Sequence, residues 1–177
     1  MNIRPARKED CQGIARVQVD SYHSAYSGIL PAEYLEAFSY QDQENDWLDW
    51  FASPEQELLY VADTGKGEVI GYGLARENPA DLSPYQGELV ALHVRREYQG
   101  QGLGCCLFST VAAGLSGLGC RSLFLWVLES NPARSFYEKL GGQLVGIKPW
   151  QNNEHFGTAI REFAFGWLEI HDLFNPD

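Results

Sequence analysis

Gly100, Gly102 and Gly104 stand at alternate positions in the stretch VRREYQGQGLGCCLF, just ahead of a run of large apolar residues with helical spacing. A glycine inside a helix costs roughly 1 kcal/mol against alanine, so three at a helix start need a reason. Backbone N–H groups at such a start converge on phosphate oxygens, and a bare Cα lets a pyrophosphate approach the main chain closely. On this reading the amides from Gly100 through Gln101 and Gly102 to Gly104 are donors, and Arg95 and Arg96 set positive charge just before the cradle. The helix dipole adds a favourable field. GQGLG lacks the third glycine of G-x-G-x-x-G and no G-K-[ST] follows, which counts against a dinucleotide turn and removes a Walker loop. A tight turn into a helix uses the same residues with no ligand at all, so the glycines alone leave both readings open.

A second stretch, NPARSFYEKLGG, marks a short helix at both ends, with Asn131 as N-cap, Pro132 at the first helical position and Gly141 past the last turn. Tyr137 within it carries a phenol of reference pKa ~10, a group that can act as a proton donor. Helical geometry turns it toward Ala133, one residue round from the face shared by Phe136 and Leu140. Glu88, opening the stretch ELVALHV, offers a carboxylate that could act as a base. A solvated glutamate beginning a strand is the competing reading. His93 is a reserve base, but strand alternation sets it on the face opposite Glu88, Leu92 and Val94 unless a bulge intervenes. Cys105 and Cys106 are adjacent within the expected helix, Cys11 and Cys120 are distant, and no C-x-x-C pair exists. The cysteines therefore read as small buried hydrophobes in a reducing compartment. His23, His93, His155 and His171 lack ligand spacing, and we expect no metal.

The stretch VRREYQGQGLG resembles the acyl-CoA signature of the GNAT N-acetyltransferase superfamily, whose Q/R-x-x-G-x-G/A is met by Gln99, Gly102 and Gly104. NPARSFYEKLGG is similar to that family's N-x-x-A-x-x-[FL]-Y-x-x-x-G-F helix, matching at Asn131, Phe136, Tyr137 and Gly141, with Gly142 in place of the final aromatic. The order of elements resembles the family's across nearly the whole chain. The resemblance implies an α/β (α+β) fold: a GNAT-like mixed, mostly antiparallel twisted sheet with a central splayed parallel strand pair and flanking helices. It implies an N-acetyltransferase that moves an acetyl group from acetyl-CoA to a primary amine by direct attack. Pantetheine would lie between ELVALHV and SLFLWVL, bonded through the backbone of Leu92 and Val94, with the Val94 N–H also facing the thioester oxygen. Gln99, Gly100, Gln101, Gly102, Gly104 and Asn131 would be further cofactor contacts. Tyr137 matches the family's frequent general acid, and Glu88 lies where some members carry a catalytic glutamate and others use ordered water. A catalytically silent acyl-CoA-binding module on the same scaffold is the alternative, separated by thioester consumption. A nucleotide-dependent oxidoreductase is a third reading, and it predicts no effect of CoA on thermal stability.

These residues need elements to hold them. NIRPA reads as a first strand and KEDCQGIARVQVDSYHSAY as a helix with Asp10 as a possible cap, followed by the helical stretches AEYLEAF and QDQENDWLDWF. ELLYVAD and EVIGYGLARE flank the turn TGKG as an antiparallel hairpin. NPADLSPYQG has loop composition, and ELVALHV follows as a strand. The helix after the glycines puts Leu103, Leu107, Val111, Leu115 and Leu118 on one face and ends at Gly117 and Gly119. SLFLWVL is apolar throughout, as suits a parallel strand covered on both sides. QLVGIKPW and GTAIREFAFGWL read as two more strands joined by the loop QNNEHF. Tyr22, Tyr26, Trp150 and Phe156 could wall an amine pocket or fill the core, while Trp47, Trp50, Trp126 and Trp167 read as core or interface.

At 177 residues and 45% hydrophobic content, the chain fits a single domain, 1–177, with one sizeable core. No apolar run approaches the ~20 residues a bilayer span needs, and the N-terminal stretch lacks the apolar core of a signal peptide, so we expect a cytoplasmic protein with no membrane partner. A formal charge of −11 argues against general nucleic-acid binding while leaving room for an anionic cofactor on local amides. It also draws amines toward the surface. The apolar tail GWLEIHDLF could cover a partner, as in a homodimer, or the protein's own core. The identity of the amine is not readable at this level.

Overall fold

The computed structural model describes residues 1–52, 57–78 and 82–174. Seven strands form one sheet: β1 (Asn2–Pro5), β2 (Glu57–Asp63), β3 (Val69–Glu77), β4 (Gly87–Val94), β5 (Leu123–Leu128), β6 (Gln143–Pro149) and β7 (Arg161–Trp167). They lie in the order β1-β2-β3-β4-β5-β7-β6. Every neighbouring pair is antiparallel except β4 and β5. The helices are α1 (Cys11–Tyr26), α2 (Ala32–Glu36), α3 (Tyr40–Ala52), α4 (Leu103–Gly117), α5 (Arg134–Lys139) and α6 (Asn153–Phe156). Among the described residues no helix is long and apolar enough to cross a membrane.

Alternation divides the sheet into two packed faces. Phe108, Val111 and Leu115 of α4 are buried against Ala75, Leu89, Leu125 and Phe165, and Leu107 against Ala62 and Ile70, each such side chain contributing roughly 1.5–3 kcal/mol. The helix sits close to the strands because glycines face it: a Cβ at Gly73 would come within 2.9 Å of Val111, and one at Gly87 within 2.8 Å of Leu115. On the other face α1 and α3 bury Ile14, Val17 and Trp47 against Leu59, Val61, Tyr72 and Leu74. A separate cluster joins Leu30, Leu35, Leu128 and Trp150 with Tyr22, Tyr26, Tyr34 and Phe156.

Several details depart from the sequence expectations. Leu118 falls just past α4 and is 48% exposed, because the helix ends one residue before it. QNNEHF contains the single helical turn α6, closed by Asn153, whose Oδ1 accepts from Thr158 and Ile160. Asp10 gives α1 no side-chain cap; it is buried and binds the Arg4 guanidinium at 2.7 and 2.9 Å and the Arg7 N–H at 2.8 Å. The tail packs on the protein's own core, with Ile170 buried and the Ser109 hydroxyl donating to the Leu173 carbonyl at 2.7 Å. Residues 79–81 of the expected loop and 175–177 of the tail lie outside the described residues.

Candidate active site

Parallel pairing between β4 and β5 lasts for only two positions, Gly87↔Leu123 and Glu88↔Phe124, after which the strands part. The gap opens into a cavity of about 650 Å³ running from Gln99 past Leu92, Val94 and Tyr137 to Tyr22, Tyr34 and Trp150 on the other face. The register explains why β4 offers free main-chain groups there. Arg95 N–H bonds to Ile70 O, so Arg95 and Ile70 are a hydrogen-bonded pair, and Leu92 and Val94, at odd steps from Arg95 along the ladder, face away from β3. The N–H and C=O of both residues thus point into the gap, the arrangement an incoming extended ligand needs to complete the strand. The Val94 carbonyl already accepts from the Gln99 side chain at 2.8 Å, which leaves the Val94 N–H as the open donor.

The glycine loop adjoins this gap at Gln99. Gly100 and Gly102 hold positive φ of 72° and 82°, a conformation that side-chain-bearing residues rarely adopt. Gly104 lies within α4, where a Cβ would meet the Phe136 ring at 3.4 Å. Among the described residues none of the amides from Gly100 to Gly104 donates to a main-chain carbonyl, so the start of α4 is an unsatisfied donor array. Gln101 braces it by donating to Glu97 O at 2.9 Å. An anionic ligand fits these donors without further rearrangement.

Asn131 and Tyr137 enter from the far side of the gap. Asn131 is buried and its Oδ1 accepts the Ala133 N–H at 2.8 Å, so it fixes the turn before α5, whose first helical residue is Arg134, two positions later than the sequence suggested. Tyr137 is buried among Phe108, Phe136 and Trp167. Burial raises its phenol well above the usual range, which keeps it protonated at any working pH. Gly142 replaces the motif's aromatic for a steric reason: a Cβ there would lie 2.6 Å from the Trp167 indole. Cys105 and Cys106 are exposed on α4 and do not line the cavity.

A β-bulge alters the expected layout of β4. Ala75 pairs with Leu89 and Leu74 with Ala91, leaving Val90 as the extra residue. His93 therefore shares a face with Glu88, opposite Leu92 and Val94, where unbroken alternation would have put Glu88 with those two. Glu88 lines the narrow end of the cavity and accepts from Arg76 Nε at 2.9 Å. His93 sits between the rings of Tyr22 and Tyr72, at centroid distances of 5.6 and 5.3 Å. Burial pushes its pKa down to about 4, so the ring is neutral near pH 7. Desolvation pushes the Tyr26 phenol up to about 12, partly offset by a hydrogen bond with Asn131.

Leu92, Val94, Gln99, Glu88, Asn131 and Tyr137 thus line one cavity, and Gly100, Gln101, Gly102 and Gly104 form the loop beside it. Trp47 and Trp126 reach the cavity wall, whereas Trp167 is core, its Nε1 donating to Leu140 O at 2.8 Å. Sequence reasoning missed Tyr34, Ser21, Lys148 and Glu162. A signal for Glu162 was present: in REFAFGW it shares a strand face with Ala164 and Gly166, small residues that leave room above the sheet, which Tyr85 fills at Gly166.

Comparison with known proteins agrees with this geometry. Residues 19–142 match the model of the acetyltransferase (GNAT) family. The chain is 32% identical over 173 residues to the uncharacterized N-acetyltransferase YuaI of Bacillus subtilis, covering 98% of this chain and 96% of that one. It is 29% identical over 168 residues to the thialysine N-epsilon-acetyltransferase of Bos taurus, covering 92% and 96%. Its fold is similar to the crystal structure of PaiA N-acetyltransferase from Thermoplasma acidophilum in complex with coenzyme A, with a TM-score of 0.69, 20% identity and coverage of 93% and 96%. YncA of Salmonella typhimurium with acetyl-CoA gives a TM-score of 0.70 at 20% identity, covering 100% and 98%. With a matched core motif set, a splayed strand pair and a relative aligned from end to end, the chain belongs to the GNAT family of N-acetyltransferases.

Proposed function

We propose that this chain transfers an acetyl group from acetyl-CoA to an aliphatic primary amine by direct attack. The observation that carries the reading is the unpaired edge of β4 at Leu92 and Val94 facing the same cavity as the buried Tyr137 phenol. The amides from Gly100 to Gly104 fit a pyrophosphate, and Asn131 stands at the cavity wall beside Tyr26. Bound there, acetyl-CoA supplies the activated acyl group. The Val94 N–H stabilises the charge that develops on the thioester oxygen as the amine attacks. Tyr137 donates its proton to the departing sulfur; burial makes the phenol a weaker acid, but the same dry surroundings penalise a free thiolate, so protonation offsets the cost of expelling a charged sulfur.

Glu88 receives the acceptor's proton through water, because Arg76 already engages its carboxylate. No cysteine lines the cavity among the described residues, which supports direct transfer over an acyl-enzyme. The cattle relative is named for an ε-nitrogen as acceptor, in keeping with an aliphatic amine.

Replacing Tyr137 by Phe tests the assignment. Turnover of an acetylated amine should fall by about 10²-fold or more, with the Kd for CoA within about twofold of the parent. Unchanged turnover removes the role. Thioester consumption with a panel of amines separates this reading from a silent CoA-binding module.

A further inference from the structure

Glu162 enters the cavity from β7, on the face opposite Phe163, Phe165 and Trp167. Its charge acts on the phenols of Tyr22, Tyr26 and Tyr34, all of which it raises, but not on Tyr137. The register puts it on the acceptor side, since Glu162 pairs with Leu128, which packs with Tyr22, Tyr26, Tyr34 and Trp150. Its one partner among the described residues is Lys148, whose Nζ lies 3.8 Å away, beyond hydrogen-bond length, and is drawn over the Trp126 ring at 4.1 Å. Glu162 is also largely enclosed, with 19% of its side chain exposed. A half-desolvated carboxylate whose one ion-pair partner sits this far off is under-compensated, and a cation with N–H donors at closer range relieves that cost. A second polar group is unmet in the same cavity: Ser21 Oγ is buried with no partner, on a residue only 7% exposed.

We propose that Glu162 and the phenols of Tyr22, Tyr26 and Tyr34 form a subsite for a second ammonium group, which makes an aliphatic diamine the preferred acceptor. One nitrogen reacts beside Tyr137 while the other rests against the carboxylate and the ring faces. Lys148 occupies this place in the unliganded chain as an internal ammonium. Being 46% exposed, it can swing to solvent when an external ammonium arrives. The proposal rests on the acetyl-transfer reading for the position of the first nitrogen, but the subsite itself can be measured without turnover.

Calorimetric titration of the full chain with bound CoA, using diaminobutane, diaminopentane and butylamine, tests it. Both diamines should bind about tenfold or more tightly than butylamine. Glu162→Gln should erase that preference, while Lys148→Met should increase it by freeing the carboxylate. Equal binding of diamines and butylamine by the parent chain overturns the subsite with no variant needed. The reversed pattern, weaker binding in Lys148→Met and tighter in Glu162→Gln, overturns it in favour of an acceptor carboxylate held by Lys148. Diamine preference without thioester consumption would sustain the subsite and refute acetyl transfer. Consumption with no diamine preference would do the opposite.

Discussion

His93 shows how one enclosed side chain ties the site to stability. Its ring, between Tyr22 and Tyr72 on the cavity wall, has its pKa pushed down to about 4 by burial, against ~6.5 in an unfolded chain. Between these two values the unfolded state holds more protons on this residue than the folded state does. Stability therefore rises with pH through that window and is lost as pH falls from about 6.5 toward 4. The loss attributable to His93 reaches at most about 3 kcal/mol, and less in proportion as cavity water screens the ring. Urea unfolding at pH 5 and pH 7.5 should show a smaller difference for His93→Gln than for the parent chain; equal differences would mean that the imidazole is not desolvated. The same neutrality makes His93 a weak base, so no limb of the pH–rate profile above pH 5 should disappear with it.

At the scale of elements, the join between β4 and α4 answers why three glycines precede a helix. Two of them, Gly100 and Gly102, are demanded by backbone conformation, whereas at the third a Cβ would only touch the Phe136 ring at ordinary contact distance. Conformation and ligand binding make separable predictions here. At Gly102 a Cβ would meet nothing within 4 Å, so Gly102→Ala carries only backbone strain, about 1–2 kcal/mol. That open space is where a pyrophosphate would approach, and CoA affinity should fall about tenfold or more in isothermal titration. Gly104→Ala should stabilise the chain slightly in urea unfolding, by up to the helix-propensity gain of about 1 kcal/mol, because the Phe136 ring lies at ordinary contact distance. If Gly102→Ala destabilises the chain yet binds CoA as before, the loop is a turn and nothing more.

For the whole molecule, legibility follows distance along the chain. The glycine loop, the bounded turn into α5 and the apolar run of β5 were readable because each signal lies within a few neighbouring residues. The Val90 bulge, which moves His93 onto the face of Glu88, depends on how β4 registers with β3 and leaves no local mark. The meeting of Tyr22, Tyr34, Lys148 and Glu162 draws on four elements, so only the small residues beside Glu162 hinted at it. Net charge, by contrast, was available from composition, and its consequence is global. At −11 the protein repels an anionic thioester and attracts a cationic amine over distances comparable to the Debye length, about 10 Å at 0.1 M salt. Raising ionic strength should therefore act on the two substrates in opposite directions. Between low salt and about 0.2 M, kcat/KM for a cationic amine should drop several-fold while kcat/KM for acetyl-CoA rises, with kcat nearly constant, since screening alters encounter more than enclosed chemistry. Steady-state kinetics with each substrate varied in turn measures both slopes. Slopes of the same sign would show that local groups, such as Glu162 and the amides of the glycine loop, govern capture, and that the acidic surface has no part in it.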